Sequence, residues 1–300
     1  MYYIFFCFLY PISLLPWRIL YVLSDLAFII IYHIIGYRKE VVADNLLHAF
    51  PEKTEAERKR ISKKFYQSFC DNWIETIKLL SVSKENLSKR LSGDVAIFHE
   101  LHATGRSLQG NFGHFFNWEI LNHYYSFSQP YTILGVYFPL KNQVMDRLMK
   151  YLRARRGIVL IPLPEMARAI IPWRKKQYFL ALIGDQSPAQ PNSAYWLNFM
   201  NRPTCFIKGP EKFARGQDIP VTVTTTRKIK RGHYHFETLV LTDSPTEMPD
   251  GEVIRRYVKH LEENIRLQPE LYLWSHRRWK HNWKPEYEKL WVDTEPLPKS

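Results

Sequence analysis

Cysteine is scarce in this 300-residue chain, and its placement excludes two kinds of structure. The three cysteines, Cys7, Cys70 and Cys205, are far apart, and neither a CxxC pair nor a Cys/His cluster includes them. We therefore expect neither a disulfide framework nor a zinc site. A reducing compartment is the simplest setting for such a chain.

Acidic residues are fewer than basic ones. The chain has 29 Asp and Glu against 42 Lys and Arg, which gives a formal net charge of +13. This excess favours a phosphate-rich partner, either nucleic acid or an anionic membrane surface. The chain contains no recognised nucleic-acid motif, internal repeat or low-complexity segment. Its apolar fraction of 46% is ample for a core, and its length suits one large domain or one domain with an anchor.

The N-terminal segment 1–36 is almost free of ionisable residues; Arg18, Asp25 and His33 interrupt it. No Lys or Arg precedes its first apolar run and no small-x-small site follows, so a cleaved signal peptide is not expected. The run 19–36 is about long enough to cross or deeply enter a bilayer. We therefore expect a membrane anchor at 1–36 and a cytoplasmic domain at 37–300, because basic residues follow the apolar run. The alternative is a buried helix of a soluble fold, since Asp25 and His33 are costly in lipid.

Short apolar runs alternate with helical patterns along the rest of the chain. Helices are predicted over 37–50, 54–80, 142–155, 206–215 and 252–265, and strands over 131–137, 158–162, 179–184, 220–226 and 233–241. The segment 54–57 is predicted to form a capping box. This alternation indicates an α/β fold, with a central mixed sheet flanked by helices.

A histidine and a carboxylate stand five positions apart in the motif Gly110–Glu119. His114 and Glu119 could form a general base with an orienting partner if His114 precedes a helix and Glu119 lies in its first turns. The same spacing recurs at His281 and Glu286, where Pro285 interrupts it. The alternative for His114 is a histidine packed in an aromatic cluster. Asn117 is expected to cap the helix or to orient the motif.

Several segments together resemble the late acyltransferases of lipid A biosynthesis, within the lysophospholipid acyltransferase superfamily. They are, in order, the apolar segment 1–36, the segment Arg38–Pro51 with its Asn-Leu and Phe-Pro pairs, Gly113-His-Phe-Phe-Asn-Trp-Glu119, Asp185-Gln186 and Pro269-Glu-Leu-Tyr-Leu-Trp-Ser-His-Arg-Arg-Trp-Lys280. The resemblance covers nearly the whole chain.

The resemblance implies a glycerolipid acyltransferase-like fold and acyl transfer from a thioester to a lipid hydroxyl, at the cytoplasmic face of a bacterial inner membrane. His114 would act as general base and Glu119 as its partner, with Asn117 and Asp185 as substrate-binding candidates. The donor would be acyl-acyl carrier protein or acyl-coenzyme A, and the acceptor a lipid A precursor. No metal or bound cofactor, and no nucleic acid, is implied.

One position departs from the family pattern. Phe138 stands where the family usually has an arginine in a Tyr-Arg-Pro context, and Lys141, Arg153 and Arg156 are the candidates to replace its charge at the substrate. A lysophospholipid or an amino-acid-containing lipid therefore stays open as acceptor. A nucleic-acid-binding protein and an inactive membrane scaffold are the alternatives from other classes. The aromatic and basic segment 274–283 suits either a membrane interface or an ordinary packed segment.

Overall fold

The structure is a computed structural model that describes residues 2–298. The helices are α1 (Tyr2–Leu14), α2 (Trp17–Phe28), α3 (Lys39–Ala49), α4 (Glu55–Lys78), α5 (Lys84–Ser88), α6 (Ala96–Ala103), α7 (Trp118–Ser128), α8 (Gln143–Ala154), α9 (Met166–Ala169), α10 (Gly209–Gln217) and α11 (Glu252–Leu267). The strands are β1 (Leu91–Gly93), β2 (Leu108–Phe112), β3 (Thr132–Tyr137), β4 (Val159–Pro162), β5 (Tyr178–Ile183), β6 (Tyr195–Phe199), β7 (Arg202–Phe206), β8 (Val221–Lys230) and β9 (His233–Thr242). A π-helical stretch, Ile29–Ile35, extends α2.

Seven strands form a central mixed sheet in the order β1-β9-β8-β2-β5-β3-β4. Strands β8, β2, β5, β3 and β4 run parallel, whereas β8 and β9 form an antiparallel hairpin. The carboxyl ends of the parallel strands therefore meet at one edge of the sheet, where ligand sites of open α/β sheets commonly lie. The prediction of an α/β fold with a central mixed sheet is confirmed.

Local sequence signals account for several element boundaries. The predicted capping box opens α4, since Thr54 Oγ1 accepts from Glu57 N–H and the Glu57 carboxylate accepts from Thr54 N–H. Four strands were not predicted: β1, β2 and the separate antiparallel pair that β6 and β7 form. Phe206 ends β7 instead of starting the predicted helix, and α10 begins at Gly209 because Pro210 suits the first turn of a helix.

Aromatic side chains fill the core. One buried cluster includes Phe65, Phe116 and Trp274, and a second includes Phe98 and Phe179. Many of the chain's aromatic residues therefore pack in the core. Pairs of aromatic rings there stabilise the fold by more than their buried area alone would give.

The N-terminal segment packs on the rest of the molecule. Helix α2 lies against α4, and α1 contacts both α4 and α8. The helical run Trp17–Ile35 is long and apolar enough to span a membrane by length and composition, a weak indication by itself. The division into an anchor at 1–36 and a domain at 37–300 stays a prediction.

Candidate active site

His114 and Asp185 meet because two neighbouring parallel strands end beside each other. Phe112 of β2 pairs in register with Ile183 of β5, and each functional side chain follows two residues later. Parallel strands bring their carboxyl ends to the same edge, so residues at equal distances beyond a register pair lie close. Strand order thereby joins two residues that are 71 positions apart.

The Asp185 carboxylate binds His114 at two points. Its Oδ1 lies 2.5 Å from the ring Nδ1, and its Oδ2 accepts the His114 backbone N–H at 2.8 Å. The His114 side chain is 18% exposed and that of Asp185 is 1% exposed. An ionised carboxylate only accepts, so Nδ1 carries the proton and Nε2 is left as an acceptor at the exposed edge of the ring. Gln186 Nε2 lies 3.3 Å from that atom.

The electrostatic setting keeps Asp185 ionised. Burial by itself raises the pKa of this carboxyl, but its electrostatic attraction to the His114 imidazole and the two hydrogen bonds from that residue outweigh the effect, with the charge of Arg278 adding to them. The pKa of Asp185 is therefore below its ordinary value. A charged acceptor held in this way fixes one tautomer of the imidazole and stabilises its protonated form.

Part of the C-terminal segment 274–283 packs inside the protein behind the site. Arg278 is buried, donates to the Cys205 carbonyl at 2.9 Å and lies over the Phe206 ring. Trp274 is also buried. Of the two alternatives for the segment 274–283, the structure supports packing for these residues. The sequence signal that could have revealed this was the basic residue placed among aromatic ones, a composition that suits stacking as well as headgroup contact.

His276 belongs to the same segment and is a neutral histidine. Its Nε2 accepts the Ser187 backbone N–H at 3.2 Å. Burial, followed by the charge of Arg278, lowers the pKa of His276 to about 4. The His276 contact holds the loop that follows Asp185, which sequence reasoning did not identify.

Glu119 occupies a different place from the one expected. The residue is buried in the first turn of α7, where it accepts from Arg153 at 2.6 Å and from Trp118 Nε1 at 2.9 Å. It shares no hydrogen bond with His114, whose Nδ1 belongs to Asp185. The side chain of Glu119 is directed to Arg153 of α8, and a buried carboxylate gains more from a guanidinium than from a neutral ring.

The remaining predicted site residues are not gathered at His114. Asn117 is fully buried: its Oδ1 caps α7 by accepting from the N–H groups of residues 119 and 120, and its Nδ2 donates to Glu75 at 3.1 Å. The expected capping role of Asn117 is thus present, and its substrate-binding role stays a prediction. Arg156 donates to His123 and to the Val82 carbonyl. Lys141 lies on an exposed loop.

The two glycines of the motif are needed for close packing and not for flexibility. A Cβ at Gly110 would lie 2.4 Å from Phe179 Cε2, and one at Gly113 would lie 2.5 Å from Leu261 Cδ1. Neither glycine adopts a positive φ. The tight fit of Gly113 sets the path of the chain immediately before His114.

Comparison with known proteins identifies a family for the chain. The model of the bacterial lipid A biosynthesis acyltransferase family matches residues 1–281. No individual curated protein matches the chain significantly. Since the family match covers nearly the whole chain, the protein belongs to the bacterial lipid A biosynthesis acyltransferases and is an enzyme that transfers an acyl group in lipid A synthesis.

Proposed function

We propose that the protein transfers a fatty acyl chain from a thioester to a hydroxyl of a lipid A precursor, with His114 as general base. His114 Nε2 takes the hydroxyl proton while the hydroxyl oxygen attacks the thioester carbonyl carbon. The tetrahedral intermediate then breaks its C–S bond, and the departing thiolate receives the proton from the imidazolium. The products are an ester and a free thiol, and no acyl-enzyme is required.

The observation that carries this proposal is the double contact between Asp185 and His114. It leaves Nε2 unprotonated at the partly exposed edge of the ring, where a substrate hydroxyl could approach. The ionised carboxylate would also stabilise the imidazolium as it forms. Asp185 therefore takes the orienting role for which the spacing had suggested Glu119.

The pair of the buried Glu119 and the half-buried Arg153 is proposed to hold α7 against α8. Arg153 donates to both Glu119 carboxylate oxygens through Nε at 3.1 Å, and to Oε1 also through Nη2 at 2.6 Å. Removing one partner of such a pair leaves the other charge buried and uncompensated. Arg153 is thus engaged within the protein, and Lys141 is the remaining exposed candidate for the charge that the family's arginine supplies.

The donor is proposed to be acyl-acyl carrier protein or acyl-coenzyme A, and the site of action the cytoplasmic face of the inner membrane. The formal charge of +13 supports an acidic donor and an anionic surface. The apolar N-terminal helices, followed directly by Arg38 and Lys39, support the membrane location.

The test compares His114→Ala, Asp185→Asn and Glu119→Gln for transfer of labelled acyl chains to a lipid A precursor. We expect His114→Ala and Asp185→Asn to lower kcat by about 10²-fold or more, because each removes part of the proton-transfer unit. Glu119→Gln should lower the melting temperature but leave most of kcat in the folded enzyme. The Asp185→Asn enzyme should also show an altered pH profile of kcat/KM, which a purely structural role would not change.

The opposite ranking would contradict the assignment. If Glu119→Gln matched His114→Ala in kcat while Asp185→Asn kept normal turnover and pH dependence, Glu119 would be the orienting residue. Full turnover by His114→Ala would remove the general-base role altogether.

A further inference from the structure

The N-terminal helix α2 has two distinct faces. Leu20, Ser24 and Phe28 are buried against the rest of the protein. Ile19, Val22 and Leu26 are exposed on the other face, and the exposed apolar row continues into the π-helical stretch. Steps of three and four residues define one stripe of a helix, so the exposed side chains form a continuous apolar surface.

Polar contacts fasten the middle of α2 to the catalytic domain. Tyr21 OH donates to Glu75 Oε1 at 2.9 Å, and Ser24 Oγ donates to Asp71 Oδ1 at 2.7 Å. The next residue, Asp25, pairs with Arg231 at 2.6 Å. These contacts lie within one turn at the middle of α2 and join it to α4 and to the β8–β9 hairpin.

The partners of α2 belong to a larger charged network inside the domain. Arg231 also binds Asp71 at 2.6 Å, and Lys228 binds the same carboxylate at 3.3 Å. The connection between α1 and α2 is held similarly, because Lys78 Nζ donates to the carbonyls of Ser13 and Leu15. The segment is therefore part of the folded domain along its length.

Such ties are incompatible with a helix that crosses the bilayer. A spanning helix places its middle at the centre of the hydrocarbon, surrounded by lipid. The middle of α2 is bound to Asp71, Glu75 and Arg231, so a spanning α2 would bring these residues to the centre of the bilayer. Ionisable groups at that depth are strongly disfavoured. Undocking α2 would instead remove one hydrogen-bond donor from each of the buried carboxyls Glu75 and Asp71.

We propose that α1, α2 and the π-helical stretch lie in the plane of one leaflet as a docked pair, with the catalytic domain resting on them. This inference rests on the membrane association in the proposed function and specifies its geometry. The exposed apolar surface of these helices contacts the acyl chains of a single anionic leaflet. Arg18, Arg38 and Lys39 are exposed close to the ends of this surface, where they meet lipid phosphates.

The loop that contains Phe138 provides a second point of contact with the same leaflet. Phe138 is 70% exposed and Leu140 is also exposed, and both follow the carboxyl end of β3, at the edge of the sheet that bears His114. Helix α8 continues from this loop to α1, where Tyr151 meets Phe6 edge to face. Phe138 thus inserts into lipid beside the opening of the site, where an arginine would bind a phosphate.

The experiment measures the depth of single labels on the exposed face. In a Cys7→Ser background, whose other cysteines are buried, Val22→Cys, Leu26→Cys and Ile34→Cys carry an environment-sensitive fluorophore. Each protein is placed in vesicles of phosphatidylethanolamine and phosphatidylglycerol that contain lipids with a quencher at graded depths. Lys175→Cys, which is exposed shortly before β5 and hence at the opposite edge of the sheet, is the matched control.

In-plane docking predicts one shallow depth, about 5–10 Å into the leaflet, for all three labels and no quenching of the control. Phe138→Cys should give the same depth. A spanning helix would separate positions 22 and 34 by about 18 Å along the bilayer normal, so a graded profile would overturn the proposal. Absence of quenching at all three sites would overturn it as well.

Acyl transfer by each labelled protein in the same vesicles separates this proposal from the proposed function. A graded profile with normal transfer would refute only the docked geometry. Loss of transfer in the unlabelled Cys7→Ser parent would count against the function instead.

Discussion

Asp185 and Glu75 are both fully buried carboxyls, yet their pKa values move in opposite directions. Burial and the nearby Asp71 raise the pKa of Glu75, whose hydrogen bonds come from neutral donors: Tyr21, Tyr234 and Asn117. The pKa of Asp185 is lowered despite burial, by electrostatic attraction to the His114 imidazole and its two hydrogen bonds, and then by the charge of Arg278. The electrostatic character of the partners, rather than burial alone, thus determines which carboxyl is ionised at the site.

At the residue scale, His123 is predicted to make the protein sensitive to mild acid. It is buried and accepts from Arg156 Nε, and burial, followed by the Arg156 charge, lowers its pKa to about 4. The unfolded state therefore binds the proton first as pH falls below about 6.5, so stability is lost between about pH 6.5 and 4. Between pH 7 and 5 this single group should account for a loss of about 2 kcal/mol in the free energy of unfolding.

The measurement is urea unfolding at pH 7 and pH 5 for the wild type and for His123→Gln, whose amide oxygen can still accept from Arg156. We expect the variant to show a smaller stability difference between the two pH values. An unchanged difference would show that His123 does not carry the acid sensitivity. The Asp185 carboxyl titrates below this window and does not interfere.

At the element scale, α2 acts as part of the domain through the chain Tyr21–Glu75–Asn117. Tyr21 of α2 and Asn117 at the start of α7 donate to the same buried carboxyl of α4. Since Asn117 also caps α7, the N-terminal helix is linked to the element that follows His114. A membrane helix without such contacts could be replaced by any apolar helix. Helix α2 could not, because its Tyr21 binds Glu75.

Tyr21→Phe is predicted to lower the free energy of unfolding by about 1–3 kcal/mol, because Glu75 stays buried and loses a donor. Val22→Ala, on the exposed face of the same helix, is the matched control and should change stability by no more than about 0.5 kcal/mol. Both are measured by denaturant unfolding in detergent micelles. Equal effects of the two changes would mean that α2 does not dock through Tyr21.

At the scale of the whole molecule, the formal charge of +13 should govern encounter with an acidic donor. Screening shortens the reach of this charge from roughly 10 Å at about 0.1 M salt to roughly 3 Å at about 1 M. We predict that KM for acyl-acyl carrier protein rises at least about tenfold over this range while kcat changes little. Acyl-pantetheine, an uncharged thioester, serves as the control, and an equal rise for both donors would contradict electrostatic steering.

Local patterns in the sequence determined much of the secondary structure. The capping box at Thr54, the cap at Asn117 and the strand that precedes Asp185 all depend on residues within a few positions of each other. The ordered motifs also indicated the family. The pair β6–β7 was missed because its pattern of apolar and polar residues is not periodic enough to distinguish from a loop.

The tertiary structure alone decided which carboxylate His114 binds. The nearer acid in sequence, Glu119, is held by Arg153 of α8, while the distant Asp185 arrives because β5 lies next to β2 in the sheet. Strand order and helix packing depend on contacts between residues far apart in the chain, which no local pattern encodes. For the same reason the sequence determined that segment 1–36 is apolar, and only the fold showed that Asp71, Glu75 and Arg231 bind its polar face.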